Sequence, residues 1–116
     1  MKTINVIRIG TEDGDVQIQK VTNTLEAFKS LVGGFIEVCA PDELRERGIE
    51  MLCNEEGLLR QLDPNENLYP FFYVGQCVLV GVDGEDFASL RYDQMLYATA
   101  WLEKLRWESG NGVSYE

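Results

Sequence analysis

The sequence predicts an α+β fold: a small antiparallel or mixed sheet of about five strands, a short helix after the first hairpin, and a longer C-terminal helix packed on the sheet. Three observations carry this expectation. Apolar and polar residues alternate in short stretches separated by Gly, Asp and Asn, the period of half-buried strands. That period lengthens to three and four residues only twice, after Asn23 and after Leu90. A chain of 116 residues that is 45% apolar has the size and composition of one ordinary globular core.

In chain order, TINVIRIGTEDGDVQIQKV reads as a hairpin, with Val16, Ile18 and Lys20 alternating against Gln17, Gln19 and Val21 around an Asp13-Gly14 turn. Asn23 is the expected N-cap of the first helix, with Glu26 completing a capping box. Leu25, Phe28, Leu31 and Val32 form its apolar stripe, and Gly33-Gly34 stops it. FIEVCA and IEMLC follow as strands, joined by the charged PDELRERG, which holds at most one helical turn. Asn54-Glu55-Glu56-Gly57 is a turn, and LLRQLDPN is a brief helix or coil. FFYVGQCVLVGV is the most apolar segment and is expected to be a buried strand that DGED ends. The last helix runs from about Leu90 to Trp107, with Tyr92, Met95 or Leu96, Thr99, Leu102 and Arg106 as its stripe. Residues 1–108 read as one domain and 109–116 (SGNGVSYE) as a flexible tail.

Composition excludes several function classes. There are no histidines, so the usual general base of a Ser or Cys triad and most zinc and iron sites are missing. Cys39, Cys53 and Cys77 form no CxxC pair and sit in apolar runs, as small buried hydrophobes do. No Gly-x-Gly follows a strand and no GxxxxGK loop exists, so no nucleotide cradle is expected. A formal charge of −10 opposes direct binding to a nucleic-acid backbone or an anionic membrane, and suits a basic protein partner. With no apolar stretch long enough to span a bilayer and no leader-like start, the chain reads as cytoplasmic. No cofactor and no metal are expected, and the chain reads as a non-enzyme.

The candidate sites are turns and rings. Glu55 and Glu56, and likewise Asp83, Glu85 and Asp86, are acidic points for an Arg-bearing partner or, in structural terms, caps and turn residues. The turns TEDGD and VDGEDF could hold calcium weakly, although neither matches an EF-hand loop. Glu37 and Glu50 lie mid-strand and would face each other if their strands pair, the arrangement glycosidases use. Tyr97 and Trp101 lie off the expected helical stripe, and Tyr69, Phe71, Phe72 and Tyr73 cluster before the main strand. Such surplus rings suggest an interface with a partner or a second copy of the chain.

LVGGFIEV, MLCNEEGLLRQLDPN and VGQCVLVG together resemble domain-of-unknown-function family 3846, through Leu31 to Glu37, Asn54 to Gly57, Pro64-Asn65 and Gly75 to Gly81. The likeness covers roughly residues 1 to 105. The chain departs from the pattern in PDELRERG, in LYPFFY, and in a heavy terminal helix with two tryptophans. No activity comes with the resemblance. What it implies is company: phages, plasmids and mobile elements, whose small accessory proteins often counter host defence.

The expected function is therefore a counter-defence inhibitor of anti-CRISPR or anti-restriction type, in the cytoplasm of a host cell, binding a basic nucleic-acid-handling protein through acidic turns and the aromatics Phe72, Tyr73, Tyr97 and Trp101. Steric blocking fits better than DNA mimicry, because the last helix carries only Asp93, Glu103 and Glu108. The alternatives are an accessory module or an oligomer that sequesters a nucleotide signal, stacking it on Tyr and Trp rings with Arg8, Arg45, Arg47 or Arg106 on the phosphates.

Overall fold

A computed structural model describes residues 2–108. The order of elements is β1 (Thr3–Ile9), β2 (Val16–Thr22), α1 (Leu25–Val32), β3 (Ile36–Val38), α2 (Asp42–Arg45), β4 (Ile49–Asn54), a 3-10 turn (Glu66–Leu68), β5 (Cys77–Asp83), β6 (Asp86–Ala88) and α3 (Tyr92–Glu108). All strand pairings are antiparallel, in the order β2-β1-β5-β4-β3. Leu79 pairs with both Ile7 and Met51, so β1 and β4 flank β5. Gly81 pairs with both Ile49 and Ala88, so β6 takes over the edge of β5 that β1 leaves. The fold is α+β, as expected. The sheet has six strands because DGED is the tip of a hairpin, with Gly84 at φ 65°, and not the end of the pattern.

The central strands are buried on both faces, which explains the unbroken run Cys77–Val80. Alternate residues go to opposite clusters. Ile7, Ile9, Met51, Cys77 and Leu79 pack beneath Leu44 of α2, Leu68, and Ala98, Trp101, Leu102 and Leu105 of α3. Ile4, Val6, Leu52, Val78 and Val80 pack against Phe28 and Val32 of α1. Phe87 of β6 closes that second cluster edge-to-face on Phe28, with centroids 5.5 Å apart.

Several local expectations shift. Thr24, not Asn23, caps α1, accepting from the Ala27 N–H at 3.2 Å. Asn23 instead donates to the Phe87 carbonyl, because the register of β2 with β1 ends at Thr22 and turns its side chain inward. Gly33 stops the helix at φ 82° as its position implies. The strand expected from Phe71 begins only at Cys77, after Pro70 and the left-handed Gly75.

The largest correction concerns α3. Its buried residues are Gln94, Ala98, Trp101, Leu102 and Leu105, while Tyr92, Leu96 and Thr99 face outward. The apolar positions favour no single face of the helix, and a polar residue lies on the face that is buried. Gln94 reaches under the N-terminus to donate to the carbonyls of Arg47 and Gly48, and its own Oε1 accepts from the Arg91 N–H. That anchor places Trp101, 4% exposed, in the core beside Phe71. The expected tail, 109–116, lies outside the described residues.

Candidate functional site

β4 ends in a device built from a buried amide. Asn54 is 5% exposed; its Nδ2 donates to the Val32 carbonyl at 3.1 Å and its Oδ1 accepts from the Glu56 N–H at 2.8 Å. One side chain thus satisfies the C-terminal end of α1 and reverses the chain after β4. Arg60 adds a second tie, Nη1 to the Gly33 carbonyl at 2.9 Å. Gly34 and Gly57 are glycines because of space rather than backbone angle. A Cβ on Gly34 would stand 2.9 Å from Asn54 Nδ2, and one on Gly57 would stand 2.7 Å from Val74 Cγ2.

A matching amide holds the next loop. Asn65, 1% exposed, donates to the carbonyls of Ile9 and Gly75, and Gln76 donates to the Leu31 carbonyl. The segments Leu31–Glu37, Asn54–Gly57, Pro64-Asn65 and the start of Gly75–Gly81 therefore meet around one end of the sheet.

Between the 54–59 turn and the 72–74 loop lies a cleft of about 440 Å³, on the face of the sheet that α3 covers farther along. Exposed Glu37, Glu55 and Glu56 line it, with Leu58, Leu59 and Phe72, which are 66%, 82% and 68% exposed. Cys39, Cys53 and Tyr73 also line it. Tyr73 donates its hydroxyl to the Cys39 carbonyl at 2.8 Å, and burial pushes its pKa up, so it acts as a neutral donor. No Lys or Arg belongs to the lining.

The structure thus brings together four of the partner-binding candidates, Glu55, Glu56, Phe72 and Tyr73, with Glu37 beside them. The other partner-binding candidates lie apart. Asp83, Glu85 and Asp86 border a different hollow, on the α1 face beside Lys2, Leu25 and Phe87. Tyr97 is half-buried under the Arg47 guanidinium, 4.1 Å from its ring centre. Trp101 is a core residue and not a surface anchor.

Glu37 and Glu50 do not face each other. Glu37 lies opposite Cys53, so Glu50, three residues before Cys53, points to the other face. There it accepts from the Ala40 and Met51 N–H groups and pairs with Arg45 at 3.0 Å, a structural carboxylate. Nor do the acidic turns gather around an ion. Asp13 and Asp15 are paired with Arg106 and Arg8, and among the described residues no cluster of three or more Cys, Asp and Glu has a metal-holding arrangement.

Sequence reasoning missed Leu58 and Leu59 as surface residues. Their signature was a Leu-Leu pair directly after an acidic turn, in a stretch with no strand or helix period to bury it.

No curated protein and no solved structure matches the chain. The family model described as "Domain of unknown function (DUF3846)" matches residues 2–103, nearly the whole described chain and all the segments that build the cleft, and the chain belongs to that family.

Proposed function

We propose that this protein acts without catalysis, by docking a basic segment of a partner protein in the cleft between the 54–59 turn and the 72–74 loop. The observation that carries this reading is the lining itself: three carboxylates around three exposed large apolar side chains, with no base among them. Exposed apolar groups of this size mark contact surfaces, and the carboxylates select a cationic neighbour. A cleft of about 440 Å³ is also large enough for a small ligand, but a nucleotide would meet three anions and no counter-charge there. The arginines once assignable to phosphates are dispersed: Arg8 holds Asp15, Arg45 holds Glu50, Arg106 holds Asp13, and Arg47 covers Tyr97.

The partner we infer is a basic, nucleic-acid-handling protein of a host defence system, blocked sterically. The net charge of −10 supports this finer reading, as does the company of phages and plasmids that the family resemblance implies. The test is phage plating on hosts that carry defined restriction or CRISPR systems and express the chain. The reading predicts restored plating against at least one system, lost in the E55K/E56K variant. No restoration by well-expressed, folded protein, or full restoration by that variant, would refute it.

A further inference from the structure

The three cysteines share one face of the sheet: Cys39 follows the last residue of β3, Cys53 lies near the end of β4, and Cys77 is the first residue of β5. Glu37 lies opposite Cys53, so Cys39, two residues on, sits diagonally from Cys53 on the same face. Diagonal neighbours ordinarily stand about 7–8 Å apart, outside the reach of a disulfide. Here the two Sγ atoms are 2.7 Å apart, so the diagonal is closed at this rung. The backbone shows how. The Cys39 N–H still donates to Met51 O, but the Cys39 carbonyl accepts from Tyr73 and the Met51 N–H donates to Glu50 Oε1, leaving the rung half made.

We propose that Cys39 and Cys53 are a reversible oxidative modification site, joined as a disulfide by a peroxide. The pair lies where a small oxidant can reach it, since both residues line the cleft and Cys39 is half-buried. Cys77 is fully buried and has no such access. The proton distribution suits the reaction. Either sulfur of the pair can donate to the other; with Cys39 as the donor its pKa is pushed up and that of Cys53 is drawn down, so thiolate character collects on Cys53.

In the first step the Cys53 sulfur attacks one peroxide oxygen. The O–O bond breaks, and the leaving hydroxide takes up a proton to become water. The Cys39 sulfur then attacks the Cys53 sulfenic sulfur; the S–S bond forms, the S–O bond breaks, and a second water leaves with the Cys39 proton. Two thiols lose two electrons and two protons, and one hydrogen peroxide becomes two waters. Two equivalents of glutathione reverse the change, leaving as glutathione disulfide. The bond would fasten the exit of β3 to β4 in the wall of the cleft. The proposal stands independently of what docks there.

The test uses the full chain treated with stoichiometric hydrogen peroxide, then alkylated under denaturing conditions and examined by intact-mass and peptide mass spectrometry. We expect a species lighter by two hydrogens, a Cys39–Cys53 cross-linked peptide, alkylation of Cys77 alone, and recovery of all three thiols with glutathione. Cys77→Ser should oxidise as the wild type does, and Cys39→Ser should leave a sulfenic acid on Cys53 that dimedone traps. Three alkylated cysteines after peroxide, or a cross-link that includes Cys77, would overturn the proposal.

Discussion

The turns at 54–57 and 83–86 are both short, exposed and rich in carboxylates, yet they are built in opposite ways. The first rests on buried Asn54 and on Gly57, pressed against Val74, and it opens beside three exposed large apolar side chains. The second is the tip of a hairpin whose Gly84 has open space around it, and its hollow offers one such side chain, Leu25, beside Lys2. Acidity alone therefore does not mark a site in this molecule. What distinguishes the first turn is that its charges border apolar surface that a partner can desolvate, from a backbone fixed by internal hydrogen bonds.

That contrast can be broken by substitution. The largest effect on stability is expected from Trp101→Ala, which empties a core position: a loss of about 3–5 kcal/mol in denaturant unfolding. Phe72→Ala, on the cleft, should stay within about 0.5 kcal/mol, yet weaken partner binding about tenfold. If Phe72 proved the more destabilising of the two, the division into core ring and contact ring would be wrong.

Asn54→Ala should cost about 1–3 kcal/mol, because the Val32 carbonyl loses its buried donor. Calorimetry would show the melting temperature falling by about 4 °C for each kcal/mol. Glu85→Ala at the other turn should be nearly silent, within about 0.5 kcal/mol.

The smallest effect lies at a third acidic position, in the turn between β1 and β2. The Arg8 guanidinium, 2.7 Å away, holds the Asp15 carboxyl below its usual range. A depressed folded pKa adds stability above the ordinary aspartate value of about 3.9 and loses it as pH falls through the lowered one. In Arg8→Gln, NMR titration should show the Asp15 midpoint moving back up and this acid-sensitive increment disappearing.

Much of the framework was legible in the sequence, because strand period, the Asp13-Gly14 turn and the Gly33 stop are local properties. The face of α3 was not. Its apolar residues favour no single face, and the buried one is anchored by Gln94 bonding to carbonyls some forty-seven residues away in the chain. A third of the residues lining the candidate site were legible, as Glu55, Glu56, Phe72 and Tyr73. Glu37, Cys39 and Cys53 join it only through the register of β3 on β4, a pairing that no local pattern specifies.

The central claim, that a partner is held by the cleft and not by acidity in general, is tested most directly by two matched charge reversals measured against the same defence protein. The dissociation constant should rise at least tenfold in Glu55→Lys/Glu56→Lys and change less than threefold in Asp83→Lys/Asp86→Lys, at about 150 mM salt. Equal weakening by both pairs, or the reverse order, would contradict the account.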